Sequence, residues 1–391
     1  MTVRAADVNQ RFCTGTVSSG FEAVRNQFDA YLLADPAYSA QLCVYWNGEL
    51  VVDLAGGADL DENSITGVFS SSKGISALVI ATLVADGRLD LNERVATYWP
   101  AFAANAKESV TVRQLLSHQA GLVGFDDGMT PEELCHSERL AERLAAAYPA
   151  WHPGSCFGYH GLTIGVFMEE LVRRITGSTL QQVYESQIRA PHDIDFYLGL
   201  PAAQESRFRE LLPLALTSEQ QAEFDRRASE PDCLTAVAFN HRGSNRNMLA
   251  SGTSPNRREI REAGPAAAGG IGSARGLAKA YATAIGAAGG PALLDPQTIA
   301  RMSQQQCIGL DRILNKTMCF GIVYMKPHPE VEFGSHRAFG HDGAGGALAF
   351  ADPMYGIGFG YIPLPMQYPG AADPKAVQLS KLVRSCIRVR Q

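Results

Sequence analysis

The eight cysteines of this 391-residue chain (Cys13, Cys43, Cys135, Cys156, Cys233, Cys307, Cys319 and Cys386) include no CxxC pair and no metal-finger spacing. A zinc module is thereby excluded, and in a reducing compartment the thiols are expected to be free, several of them buried. Long hydrophobic runs are missing too. The longest apolar stretch, residues 75–84, falls well short of the roughly 20 residues that cross a bilayer. The first ten residues hold no run resembling a secretory signal, so the expectation is a cytoplasmic protein with no membrane partner. Positive charge is scattered: 34 Lys and Arg stand against 40 Asp and Glu, a net charge of −6. No basic stripe alternates with aromatics, which argues against a nucleic-acid partner. Gly-x-Ser-x-Gly is absent, so the nucleophile elbow of α/β-hydrolases is disfavoured. His-Glu-x-x-His and similar ligand clusters are absent as well, so metal-assisted hydrolysis has no support and no cofactor is called for.

What is present is an ordinary globular balance, 46% apolar and 19% charged residues, in a chain long enough for two packed units or one sheet with a large insertion. Residues 21–33 have helical spacing. Residues 41–46 and 49–54 are β-rich runs joined at Asn47-Gly48, a strong hairpin signal. From Ser70 to about residue 188 the chain reads as helices and loops, with helices near 71–86, 131–147, 162–176 and 179–190. Residues 200–265 are polar and resist organisation. A helix is expected at 273–285, strands at 320–325, 347–351 and 356–362, and a last helix at about 374–387. The fold class that follows is α+β, an α/β sandwich: an antiparallel sheet built from both termini, flanked by helices, with a mostly helical insertion. The expected division is a discontinuous sheet unit, 1–66 and 290–391, and a helical unit, 67–289, with a site in the cleft between them.

One motif carries chemistry. Ser70 and Lys73 stand three apart at the start of an apolar helix, so hydroxyl and amine fall on one face. Serine is a weak nucleophile until an adjacent base takes its proton. An ammonium in a low-dielectric helix terminus loses proton affinity and can become that base, while the helix N-terminus suits negative charge developing on an oxyanion. Read alone, Ser-x-x-Lys is a chance pattern and Ser70 a helix cap. Ser71 and Ser72 have the wrong spacing and read as capping or packing residues.

Four further stretches in order give the motif a context: Leu115-Leu-Ser-His-Gln-Ala-Gly-Leu122, Trp151-His-Pro-Gly-Ser-Cys-Phe-Gly-Tyr-His-Gly161, Gly269-Gly-Ile-Gly-Ser-Ala-Arg-Gly-Leu-Ala278 and Phe339-Gly-His-Asp-Gly-Ala-Gly-Gly346. With Phe69-Ser-Ser-Ser-Lys-Gly74 they resemble the serine β-lactamase and penicillin-binding protein superfamily, in particular its class C-like esterase branch, the family VIII carboxylesterases. The resemblance runs from about residue 40 to 359 and is weakest between 200 and 265. It implies Ser70 as nucleophile and Lys73 as its proton partner. The family's Tyr-x-Asn falls on Tyr159-His160-Gly161, making Tyr159 a second proton carrier acidified by the Lys73 ammonium. The Lys-Thr-Gly motif falls on His341-Asp342-Gly343, and the backbone N–H groups of Ser70 and Ala344 are implied as the oxyanion hole. Without the resemblance, Tyr159 reads first as a packed tyrosine, and His341 equally as an exposed histidine on a glycine-rich hairpin. Asp342 reads as a turn or solvated residue, and His118 and His152 as structural.

Two departures bear on substrate. Gly161 replaces the asparagine that would hold an amide, and His341 replaces a lysine that would offer a fixed positive charge to a substrate carboxylate. Both losses point from penicillins and D-Ala-D-Ala peptides towards small neutral esters cleaved through an acyl-Ser70 intermediate. The alternatives on the same residues are a β-lactamase, D-amino-peptidase, amide hydrolase or acyltransferase; a catalytically silent scaffold of the same fold is a lower one. The expected partner is a small-molecule ester. Oligomeric state, acyl chain and alcohol are not legible. Loops at 123–130 and 235–265 are expected in the pocket wall.

Overall fold

The structure is a computed structural model that describes residues 13–214, 216–226, 233–241, 249 and 254–390. The first ten residues, on which the expectation of no leader rests, and parts of the expected 235–265 pocket wall lie outside the described residues. Asn47 and Gly48 both take positive φ, 47° and 97°, the combination that a two-residue hairpin turn requires. They join β2 (Ser39–Trp46) to β3 (Glu49–Gly56), and β1 (Thr14–Val17) pairs with β3. The other half of the sheet comes from the chain's end: β4 (Phe339–Asp342), β5 (Leu348–Asp352) and β6 (Ile357–Leu364). The order is β1-β3-β2-β6-β5-β4 and every neighbouring pair is antiparallel. The α+β class is therefore observed, with the two termini meeting at the β2–β6 pair.

Five helices bear on the site: α1 (Glu22–Ala34), α2 (Ser71–Ala85), α3 (Thr163–Thr176), α4 (Ala274–Ile285) and α5 (Pro374–Arg390). Period-two alternation gives the sheet two buried faces. Leu42, Val44, Phe350 and Phe359 pack with Phe28 and Leu32 of α1 and Leu379 and Val383 of α5. Cys43, Tyr45, Ala349 and Ala351 face the core shared with α2 and α4. The run Gly356-Ile-Gly-Phe-Gly-Tyr361 shows how closely α4 is seated. A Cβ on Gly360 would lie 2.2 Å from the Ala274 carbonyl oxygen, and one on Gly358 2.6 Å from that of Ala278. Glycine on the strand and alanine on the helix thus bring two backbones into contact. Helix α2 is buried on nearly every side, as its apolar composition demands. None of the helices among the described residues is long and apolar enough to cross a membrane.

Two expected elements differ. The strand at 320–325 lies earlier, at Thr317–Phe320 paired with Cys307–Leu310. After it Val323 adopts φ 64° and donates its N–H to the Leu116 carbonyl at 2.7 Å, a tertiary anchor that local β-propensity does not report. The helix at 131–147 is two pieces, Pro131–Cys135 and Glu138–Ala146, because His136 leaves helical geometry at φ −128°, ψ 81°.

Candidate active site

The turn into α2 departs from ordinary backbone geometry. Phe69 has φ 45°, a conformation that a bulky residue adopts only when its surroundings hold it there; its ring is locked among Leu60, Leu211, Leu364 and Met366. Ser70 follows at the N-cap position but caps nothing with its side chain. Its partly exposed hydroxyl instead accepts a hydrogen bond from Lys73 Nζ at 2.9 Å. The neighbouring serines have separate partners. Ser71 Oγ donates to the His341 carbonyl at 3.3 Å; Ser72 Oγ donates to the Phe69 carbonyl at 2.6 Å and accepts the Gly270 N–H at 2.9 Å. Ser70 is therefore no cap.

Lys73 is fully buried. Its amine donates also to the Ala267 carbonyl at 2.9 Å and lies 5.0 Å from the centroid of the Tyr159 ring. Burial lowers its pKa from 10.5 to about 7, overcoming the opposing pull of the Asp342 carboxylate. The acceptor side is itself fixed. Ser76 Oγ donates to the Ala266 carbonyl at 2.9 Å, Glu169 accepts the Ala266 N–H at 2.8 Å, and Gly165 of α3 leaves room for Ala267, whose nitrogen would lie 2.6 Å from a Cβ there.

Tyr159 is buried beside this amine. Its N–H donates to Asp311 Oδ1 at 3.1 Å, and the same oxygen accepts from Ile313 and Leu314 at 2.8 and 2.9 Å. The His118 ring packs 5.1 Å from it, and His118 Nδ1 accepts the His160 N–H at 3.1 Å. His152 is exposed at the preceding turn. The Tyr159 hydroxyl completes no hydrogen bond, although the Ser70 hydroxyl is near enough to favour its ionisation. Burial outweighs that pull, and the Asp342 and Asp311 carboxylates add to it, so the phenol is raised well above 10. The expected acidified phenol is thus corrected: desolvation disfavours the phenolate more than its polar neighbours favour it.

Strand β4 and the turn after it complete the group. Gly343 N–H donates to the Ala347 carbonyl and Gly346 N–H to the Gly343 carbonyl, each at 2.9 Å. In such a four-residue turn the second N–H is free. Among the described residues neither Ala344 N–H nor Ser70 N–H donates to an acceptor. A Cβ on Gly343 would lie 2.1 Å from the Val68 carbonyl oxygen, so only glycine lets this turn sit against the start of α2. His341 is buried rather than exposed, with Nδ1 2.8 Å from the Asp342 carbonyl oxygen and its ring 5.9 Å from that of Tyr159. Asp342 is no solvated turn residue. Its Oδ2 accepts the Ala372 N–H at 3.0 Å. Burial alone would raise its pKa, but His341, Lys316 and the Ala372 N–H together hold it at about 2.

Gly161 lies where the resemblance places an asparagine. A Cβ there would come within 2.8 Å of the Ala238 carbonyl oxygen and 3.3 Å of the Phe239 ring. Phe239 fills the space, 6.0 Å from the Tyr159 ring centroid. Sequence reasoning placed residues 235–265 in the pocket wall without singling out Phe239, and missed Asp311 and Ala267. Phe239 belongs to the stretch that resisted organisation, Asp311 acts through a distant backbone N–H, and Ala267 acts through its carbonyl, which no side-chain motif encodes.

Comparison with known proteins shows the family. The sequence matches the Beta-lactamase family over residues 28–363. The chain belongs to the Beta-lactamase family. Among curated relatives of this family member, the Esterase/beta-lactamase LipL of Mycobacterium tuberculosis is 32% identical over 336 residues, covering 82% of this chain and 76% of LipL. Among solved structures, EstA from Arthrobacter nitroguajacolicus Rue61a is 46% identical with a TM-score of 0.89, the alignment covering 96% of this chain and 98% of EstA. A family VIII carboxylesterase is 30% identical with a TM-score of 0.85, over 96% of this chain and 99% of that one.

Proposed function

We propose that this family member is a serine carboxylesterase that cleaves small esters through an acyl-Ser70 intermediate. One observation carries the reading: a fully buried amine, poised near neutrality, lies 2.9 Å from a serine hydroxyl released from helix capping. Ser70 Oγ attacks the ester carbonyl as neutral Lys73 takes its proton, and Lys73 with Tyr159 returns a proton to the departing alkoxide. The N–H groups of Ser70 and Ala344 receive the oxyanion, where each donor is worth on the order of 10²–10³ in rate. Water then releases the acid. Ser70, Lys73 and Tyr159 come from the helical insertion (67–289) and His341 and Ala344 from the sheet unit (1–66 and 290–391), which supports a site at their junction.

The choice of ester over lactam or peptide is supported by Gly161 and Phe239, since no side chain at 161 can reach an amide, and by histidine in place of lysine at 341. The names of LipL, EstA and the family VIII enzyme are consistent with it. Turnover of p-nitrophenyl acetate is expected to exceed that of a chromogenic cephalosporin; the reverse order overturns the preference. A fluorophosphonate probe is expected to label the wild-type protein and not Ser70→Ala, with turnover abolished in the variant. An unlabelled wild type would instead favour a silent scaffold.

A further inference from the structure

We propose that His341 is a second catalytic base, serving hydrolysis of the acyl-Ser70 ester rather than its formation, with Asp342 as its positioning residue. The inference rests on the esterase reading and addresses what that reading leaves open: which group activates water once the alcohol has left.

A lysine at this position would present three donors and no acceptor. Histidine changes what the position can do. A backbone carbonyl only accepts, so the 2.8 Å contact between His341 Nδ1 and the Asp342 carbonyl oxygen makes Nδ1 the protonated nitrogen of the neutral ring. The lone pair then belongs to Nε2. Nε2 is buried with no protein partner among the described residues, and so is the Tyr159 hydroxyl. Leaving a polar group unpaired costs roughly 1–3 kcal/mol, so two such atoms on rings 5.9 Å apart mark a place built to meet a polar reactant. The backbone and Cβ of His341 stand against the first turns of α2. A Cβ on Gly74 would lie 3.5 Å from His341 Cβ, and the His341 carbonyl accepts from Ser71 Oγ. Behind the ring, Asp342 Oδ1 lies 3.6 Å from Nδ1 while Oδ2 is tied to the Ala372 N–H. A carboxylate so placed steadies an imidazole and the positive charge it gains on taking a proton.

The step balances. Water's oxygen bonds to the acyl carbon while its proton passes to His341 Nε2. The tetrahedral intermediate expels Ser70 Oγ, which receives a proton from the Tyr159 hydroxyl, and Tyr159 is reprotonated from Nε2. A free acid and a free serine result, and nothing beyond water is consumed.

The test is rapid mixing of p-nitrophenyl acetate with the wild type, His341→Asn and Asp342→Asn, with mass spectrometry of the quenched protein. For His341→Asn the expected result is a burst of about one equivalent of p-nitrophenolate at the wild-type rate, an acetyl group trapped on Ser70, and steady turnover lowered about 100-fold. Hydroxylamine, a nucleophile that needs no base, should restore turnover. Asp342→Asn keeps an oxygen for the Ala372 N–H and should show the same partition more weakly, which keeps the test decisive if His341→Asn misfolds. A slowed burst, lost turnover with no trapped acetyl group, or wild-type turnover in a folded variant overturns the proposal. A wild type that never acetylates Ser70 sinks the esterase reading itself, a separate result.

Discussion

On the proposed mechanism, Lys73 sets the acid limb of the reaction. Only the neutral amine can take the Ser70 proton, and burial brings its pKa to about 7. Below that pH the ammonium predominates, so kcat/KM for an ester is expected to fall about tenfold per pH unit and to level off above it. A flat profile from pH 5 to 9 contradicts the assignment. Gly161 makes a second prediction. Because a Cβ there meets the Ala238 carbonyl and the Phe239 ring, Gly161→Asn should cost about 1–3 kcal/mol of stability and confer no cephalosporin turnover, as read by thermal melting and a chromogenic assay. Cephalosporin turnover in that single variant would show the space to be open. Ser70 and Lys73 were legible because their relation is local, three residues on one helix face. Tyr159 and His341 were legible only through a resemblance, since nothing in their own neighbourhoods distinguishes a reactive ring from a packed one. The direction of the Tyr159 shift was misread, because burial depends on Phe320, Phe239 and His118, which pack around it from elsewhere in the chain.

Strands and helices were legible where the pattern was strong and the constraint local. The Asn47-Gly48 hairpin, α1, α2, α3, α4 and α5 follow from turn chemistry and apolar spacing. The strand β4 was hidden in a run of glycines, whose purpose is close approach rather than β-propensity. The displaced strand before Val323 depended on a distant carbonyl. The contact between β6 and α4 gives this level its own test. Gly360→Ala would place a methyl group 2.2 Å from the Ala274 carbonyl oxygen, so a loss of at least about 1–3 kcal/mol is expected, seen as a lowered denaturation midpoint. An unchanged midpoint would mean that helix and strand are less closely seated than described.

Burying Lys73 has a consequence for the stability of the entire chain. Its pKa is about 7 in the folded state against 10.5 ordinarily, a difference of roughly 5 kcal/mol. Between those values the unfolded chain binds more protons, so this group makes stability rise with pH. Lys73→Met, close in shape and free of charge, should lose activity. Its melting temperature relative to wild type should be highest near pH 6 and decline as pH rises from 7 towards 10. A difference constant with pH would mean that the amine is not desolvated.

The sheet's construction from the two ends of the sequence governs when the enzyme can first act. Ser70 and Lys73 are made well before the strand holding His341 and the turn holding Ala344. On the proposed mechanism a nascent protein therefore holds its Ser70 hydroxyl for a time without the Ala344 N–H, the second of the two proposed oxyanion donors, and the strands made later supply it.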